Sequence, residues 1–159
     1  PVLFFEQKSL YATKEEVPFD DYITPLGEAK IIKQGSDVSI VALAAMVPRA
    51  LKAAEELASK HGISASVIDL RSLVPLDTKT VLEDVSKTGR LITVEENPRL
   101  CGWGAELASI VADEIFWKLD GPIVRVTTPH IPLAAADALE DAMIPSAEKV
   151  IKAALKLVD

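Results

Sequence analysis

Four short apolar runs, Val38–Leu43, Ala65–Leu70, Leu91–Glu95 and Ile123–Thr127, alternate along this chain with segments whose apolar residues recur at helical spacing. A strand, a helix and a second strand in one sheet join by a right-handed crossover, which makes the strands parallel and covers both faces with helices. In the first interval Pro48 suits an opening helical turn, Val47, Leu51, Ala54 and Ala58 share a face, and Gly62 suits the exit. In the second, Asp77 can cap a helix carrying Val81, Leu82 and Val85, which stops at Gly89. A helix is expected from Gly104 to about Leu119. Ser146 can cap a last one with Val150, Ile151, Ala154, Leu155 and Val158 on its inner face. Ala29–Lys33 reads as a further strand, joined to Val38–Leu43 by the Gly35-Ser36-Asp37 turn. The expected fold is α/β and three-layered, a mostly parallel sheet with helices on both faces.

Upstream of this pattern Val2–Glu6 reads as a short buried strand and Gln7–Gly27 as the best linker. A start at Pro1 on a strand, with no Met, leads us to expect a processed chain or an excised piece. At 159 residues there is room for one ordinary domain. Net charge is -7, 24 acidic against 17 basic residues with no Lys/Arg cluster, which argues against nucleic acid as the main partner. The most apolar run, Val38–Val47, is about half a bilayer span and contains Ser39, so a buried strand is expected rather than a membrane segment. Cys101 is the single cysteine, so no internal disulfide or multi-cysteine metal site forms, and a cytoplasm-like compartment is compatible.

The segment Gly89–Trp117 holds most of the candidate chemistry. A strand ends in Glu95 and Glu96, Arg99 follows Pro98, and Gly102 and Gly104 open a helix. Leu107 stands where a third glycine would complete a dinucleotide fingerprint, and the two carboxylates would repel a pyrophosphate. The glycines are better read as allowing close packing of loop and helix. Adjacent strand residues face opposite ways, so Glu95 and Glu96 cannot share a proton, and the one outside a cleft should be solvated or paired with Arg99. Arg99 is either an anion clamp or, more in keeping with its surroundings, part of a structural ion pair. His130, between Pro129 and Pro132 beyond a strand, is placed for acid–base work but lacks a partner nucleophile. His61 beside Gly62 suits a helix C-terminus, and the two histidines make no zinc pattern. Cys101 is expected to be a packed thiol, Trp103 an interface anchor on a loop, and Trp117 a core residue.

The ordered phrases PVLFFEQKSLY, EEVPFDDYITPLGEAKIIKQGSDVSIVALAAMV, SVIDLRSLVPLDTKTVLEDVSKTGRLITVEENPR, LDGPIVRVTTPHIP and LEDAMIPSAEKVIKAAL carry a resemblance over essentially the whole chain. It resembles the latter half of the beta subunit of the thiamine-diphosphate-dependent decarboxylating component of 2-oxoacid dehydrogenase complexes. Glu96-Asn97-Pro98-Arg99 and Thr128-Pro129-His130 lean toward the acetoin-cleaving branch over the pyruvate and branched-chain ones. The resemblance implies a transketolase C-terminal-type domain over residues 23–159, preceded at 1–22 by the end of a pyrimidine-binding domain and a linker. It implies an oxidoreductase of several subunits in which thiamine diphosphate and magnesium are held outside this chain, which alone is expected to be inactive. Implied partners are an alpha subunit, a second beta subunit and the peripheral-subunit-binding domain of a dihydrolipoyl acyltransferase, with Asp120 and Asp159 as docking candidates. Implied location is the cytoplasm, or an organelle matrix in a eukaryote. Two departures stand out: Pro48 replaces a common histidine, and Leu133–Asp137 replaces a proline- and aromatic-rich stretch. Two other readings compete: a docking module without catalysis, and a small α/β enzyme or anion-binding domain using Arg99 and His130.

Overall fold

The computed structural model describes residues 1, 3–14 and 16–158. Strands β1 (Lys30–Lys33), β2 (Val38–Ala42), β3 (Ala65–Asp69), β4 (Leu91–Pro98) and β5 (Val124–Thr128) form one sheet in the order β1-β3-β2-β4-β5. The four strands from β2 to β5 are parallel, as the alternation requires, and β1 closes one edge antiparallel to β3. The helices are α1 (Met46–Glu56), α2 (Thr78–Thr88), α3 (Trp103–Ile115), α4 (Asp137–Met143) and α5 (Ala147–Val158).

Alternation in the strands divides the core in two. Val38, Ile40, Ala42, Ile92, Val94 and Val126 pack against α1 and α5 on one face, and Val41, Ile68 and Leu91 pack against α2 and α3 on the other. Small Ala50, Ala53 and Ala54 let α1 approach the sheet and α5 closely. The second face also buries a polar set. Ser39 Oγ on β2 donates to Asp84 Oδ2 at 2.6 Å and lies 2.8 Å from Thr88 Oγ1 on α2, satisfying groups that would otherwise be costly to bury.

The end signals read from sequence hold. Asp77 Oδ1 accepts the Thr80 N–H at 3.0 Å at the head of α2, Ser146 Oγ accepts the Lys149 N–H at 3.3 Å at the head of α5, and Gly62 and Gly89 take positive φ of 70° and 67°. Two expectations fail, and one helix is additional to those expected. Val2 lies outside the described residues, and residues 3–6 join no strand; Phe4 and Phe5 stand exposed there. Helix α3 gives way to a 3₁₀ turn at Phe116–Lys118, which turns Trp117 outward to 93% exposure, so it is no core residue. Helix α4 was not anticipated; it sits on the surface with Leu139 exposed.

Three non-glycine residues adopt left-handed backbone conformations: Ala44, Arg71 and Cys101, with φ of 50°, 57° and 58°. Each follows one of three neighbouring strands, β2, β3 and β4, so all three lie at the carboxyl edge of the sheet.

Candidate functional site: a carboxylate junction at the carboxyl edge

Glu95 and Glu96 end the regular part of β4 and diverge as strand alternation demands. Glu95 shares its face with Thr93, while Glu96 turns toward Arg49 on α1 and Glu140 on α4. Glu95 is fully buried. Its Oε1 accepts from Arg125 Nε at 2.8 Å and Thr93 Oγ1 at 2.9 Å. Its Oε2 accepts from Arg125 Nη2 at 2.8 Å, the Gly104 N–H at 3.0 Å and Asn97 Nδ2 at 3.1 Å. Burial alone would push this carboxyl up. The two-pronged Arg125 bond, with those of Asn97, Gly104 and Thr93, outweighs it and holds Glu95 below the usual carboxylate range.

This arrangement explains the two glycines without a nucleotide. A Cβ at Gly104 would fall on the Glu95 carboxylate and Thr93 Oγ1, and one at Gly102 on Asn97, Glu95 and Arg125. The start of α3 is thus shaped around an internal carboxylate, which occupies the position where a helix N-terminus elsewhere receives an anion. The pairing partner is a correction: Glu95 binds Arg125 on β5, whereas Arg99 is exposed and joins no ion pair among the described residues. Arg125 does carry a signal in the sequence. In Ile123–Thr128 it occupies the inward position flanked by Val124 and Val126 on the opposite face, beside the strand that presents Glu95.

Glu96 is half-buried, and burial raises its pKa; Glu140 adds to the rise and Arg49 opposes it. Cys101, expected to be packed, is exposed. Trp103 is the first residue of α3 rather than a loop residue, partly buried against the second core. His130 is exposed two residues beyond β5. Glu96, Arg99, Trp103 and His130 therefore belong to the carboxyl edge of the sheet, while Asp120 lies at the opposite edge. Asp120 is 3.6 Å from Arg90 Nη1, and Arg90 Nε donates to the Leu157 carbonyl at 3.1 Å, so Asp120 adjoins the end of α5. Asp159 lies outside the described residues.

No three His, Cys, Asp or Glu side chains among the described residues stand together as a metal-binding group. With its five donors engaged by the Glu95 carboxylate, this junction offers no open fit to a magnesium-bound diphosphate. No helix among them is long and apolar enough to cross a membrane.

Residues 27–150 match the family described as transketolase, C-terminal domain. Over 99% of its length the chain is 45% identical to the acetoin:2,6-dichlorophenolindophenol oxidoreductase subunit beta of Bacillus subtilis strain 168, covering 46% of that protein. It is 41% identical, over 96% of its length, to the pyruvate dehydrogenase E1 component subunit beta of Leifsonia xyli, covering 44%. A solved structure described as a split gene transketolase, an inactive beta4 tetramer, superposes with a TM-score of 0.75 at 32% identity, over 91% of this chain and 45% of that one. The chain thus spans about half the length of the curated relatives it matches. The strand order, the two-faced core and these likenesses agree: the chain belongs to the transketolase C-terminal domain family, and its relatives include beta subunits of a pyruvate dehydrogenase E1 component and of an acetoin oxidoreductase.

Proposed function

We propose that this chain is the carboxyl-terminal domain of a beta subunit in a thiamine-diphosphate-dependent enzyme that decarboxylates a 2-oxoacid, or cleaves acetoin, and passes the acyl group to lipoamide. The observation that carries this reading is the near-complete match of the chain to one half of such subunits. Cofactor and magnesium are held by the alpha subunit and the preceding domain of the beta subunit, and residues 1–22 lead from that domain into the one at 23–159. This chain supplies no catalytic group. It serves assembly with the alpha subunit and a second beta subunit, in the cytoplasm or an organelle matrix, through the carboxyl-edge residues Glu96, Arg99, Trp103 and His130.

The acyltransferase's peripheral domain docks at the other edge, where Asp120 adjoins the end of α5 and Asp159 follows. Titrating that peripheral domain into the chain at low salt tests this. Binding is expected, weakening with salt and at least about tenfold with Asp120→Lys; no binding refutes the docking role. Calorimetry with thiamine diphosphate and magnesium tests the division of labour, because tight binding by this chain alone overturns it. Acetoin is favoured as substrate by Glu96-Asn97-Pro98-Arg99 and His130 and by the acetoin-named relative of 45% identity.

A further inference from the structure

We propose that the junction of β4, β5 and α3 is a complete receptor for a small monocarboxylate, kept occupied by the chain's own Glu95. The geometry is that of a ligand site rather than of a simple ion pair. Five donors from four residues converge on two oxygens, with Arg125 gripping both, and every distance lies between 2.8 and 3.1 Å. Thr93 and Asn97 flank Glu95 on β4, while Gly104 opens α3 and Arg125 lies on β5, so three elements hold the receptor and its both-oxygen grip comes from a strand other than the one that carries Glu95. Gly102 and Gly104 keep side chains out of the carboxylate's volume. Arg125 is only 9% exposed, so the site is dry enough for its donors to act at full strength.

In the native chain the receptor is closed to outside anions because its ligand is tethered. Shortening the tether frees the position for a carboxylate no larger than the group removed. Formate and acetate are therefore the ligands, and butyrate is too long.

The test uses Glu95→Ala and Glu95→Gly with sodium formate, acetate, butyrate and chloride at equal ionic strength, reading the melting temperature by circular dichroism. Formate and acetate are expected to raise it saturably over chloride, with half-saturation no tighter than about 0.5 mM for formate and about 0.04 mM for acetate, the ceiling for ligands of three and four non-hydrogen atoms. Butyrate, wild type, and the double variants carrying Arg125→Met are expected to respond as in chloride. Where a variant is unfolded in chloride, the same titration is read as recovery of the helical signal, and failure of formate to restore it overturns the proposal. A gain that is equal in chloride, or that persists without Arg125, also overturns it.

Discussion

Replacing Arg125 by Met removes the counter-charge of a fully buried carboxylate while keeping the apolar stem. Protein dipoles from Asn97, Gly104 and Thr93 remain, but the Glu95 carboxylate is then left buried without a counter-charge. Breaking such a pair costs about 3–5 kcal/mol, a large share of a typical domain stability of about 5–15 kcal/mol. Urea unfolding at pH 7, followed by circular dichroism and extrapolated linearly, measures it. Adding Glu95→Gln to Arg125→Met should recover about 2 kcal/mol, since the uncompensated charge is gone, so the double-mutant cycle shows strong coupling. The pH dependence carries a second signature. In wild type the folded pKa of Glu95 lies below its usual 4.5, so its contribution is complete above that value and is lost as pH falls through the folded pKa. In Arg125→Met the penalty should be greatest at neutral pH and shrink on acidification, because protonation removes the unpaired charge. A cost below about 1 kcal/mol, the value of a surface pair, would refute the reasoning.

Gly104→Ala should cost about 2–4 kcal/mol in the same assay, because overpacking onto Glu95 and loss of its N–H bond exceed the gain in helix propensity of about 1 kcal/mol. Gly62→Ala, with φ of 70° but open space around it, should cost only about 1–2 kcal/mol. Asp77→Ala removes both the cap on α2 and the bond to the Ala29 N–H that ties β1 to it, and about 1–2 kcal/mol of stability should go. Trp117→Ser should change stability by no more than about 0.5 kcal/mol, and a larger loss in thermal denaturation would place the side chain in a packed site.

The fold was legible because its signals are local. Asp77, Gly62, Gly89 and Ser146 bracket helices by bonds and dihedrals that involve nearby residues only, and strand alternation divides the core without knowledge of strand order. The misreadings arise where a local signal is weak or a distant element decides. Trp117 continues the apolar rhythm of α3, but the helix tightens at Phe116 and points it to solvent. Nothing in Asp137–Met143 marks a helix strongly; Ala136 offers no capping side chain and Leu139 stays exposed, so α4 shows neither a cap nor a buried stripe. The candidate site was half legible. The glycines and Glu95 were singled out, yet Arg125 lies 30 residues from Glu95 in the chain and becomes its neighbour only when β5 pairs with β4. Arg99, close in sequence, drew the assignment that belonged to Arg125.

The left-handed backbone at Ala44, Arg71 and Cys101 bears on how this edge meets another molecule. A side chain in that conformation costs about 1–2 kcal/mol relative to the ordinary one, and glycine would avoid most of it. The three loops after β2, β3 and β4 therefore have their bends set during folding, when the cores beneath them can offset the cost. A partner arriving at this edge meets loops whose ordering entropy has already been lost, so less of the contact energy goes to arranging them and more appears as affinity. In the assembly proposed above, glycine at these three positions would ease the isolated domain and loosen its association with a partner. Stability and association would then move in opposite directions under the same substitutions.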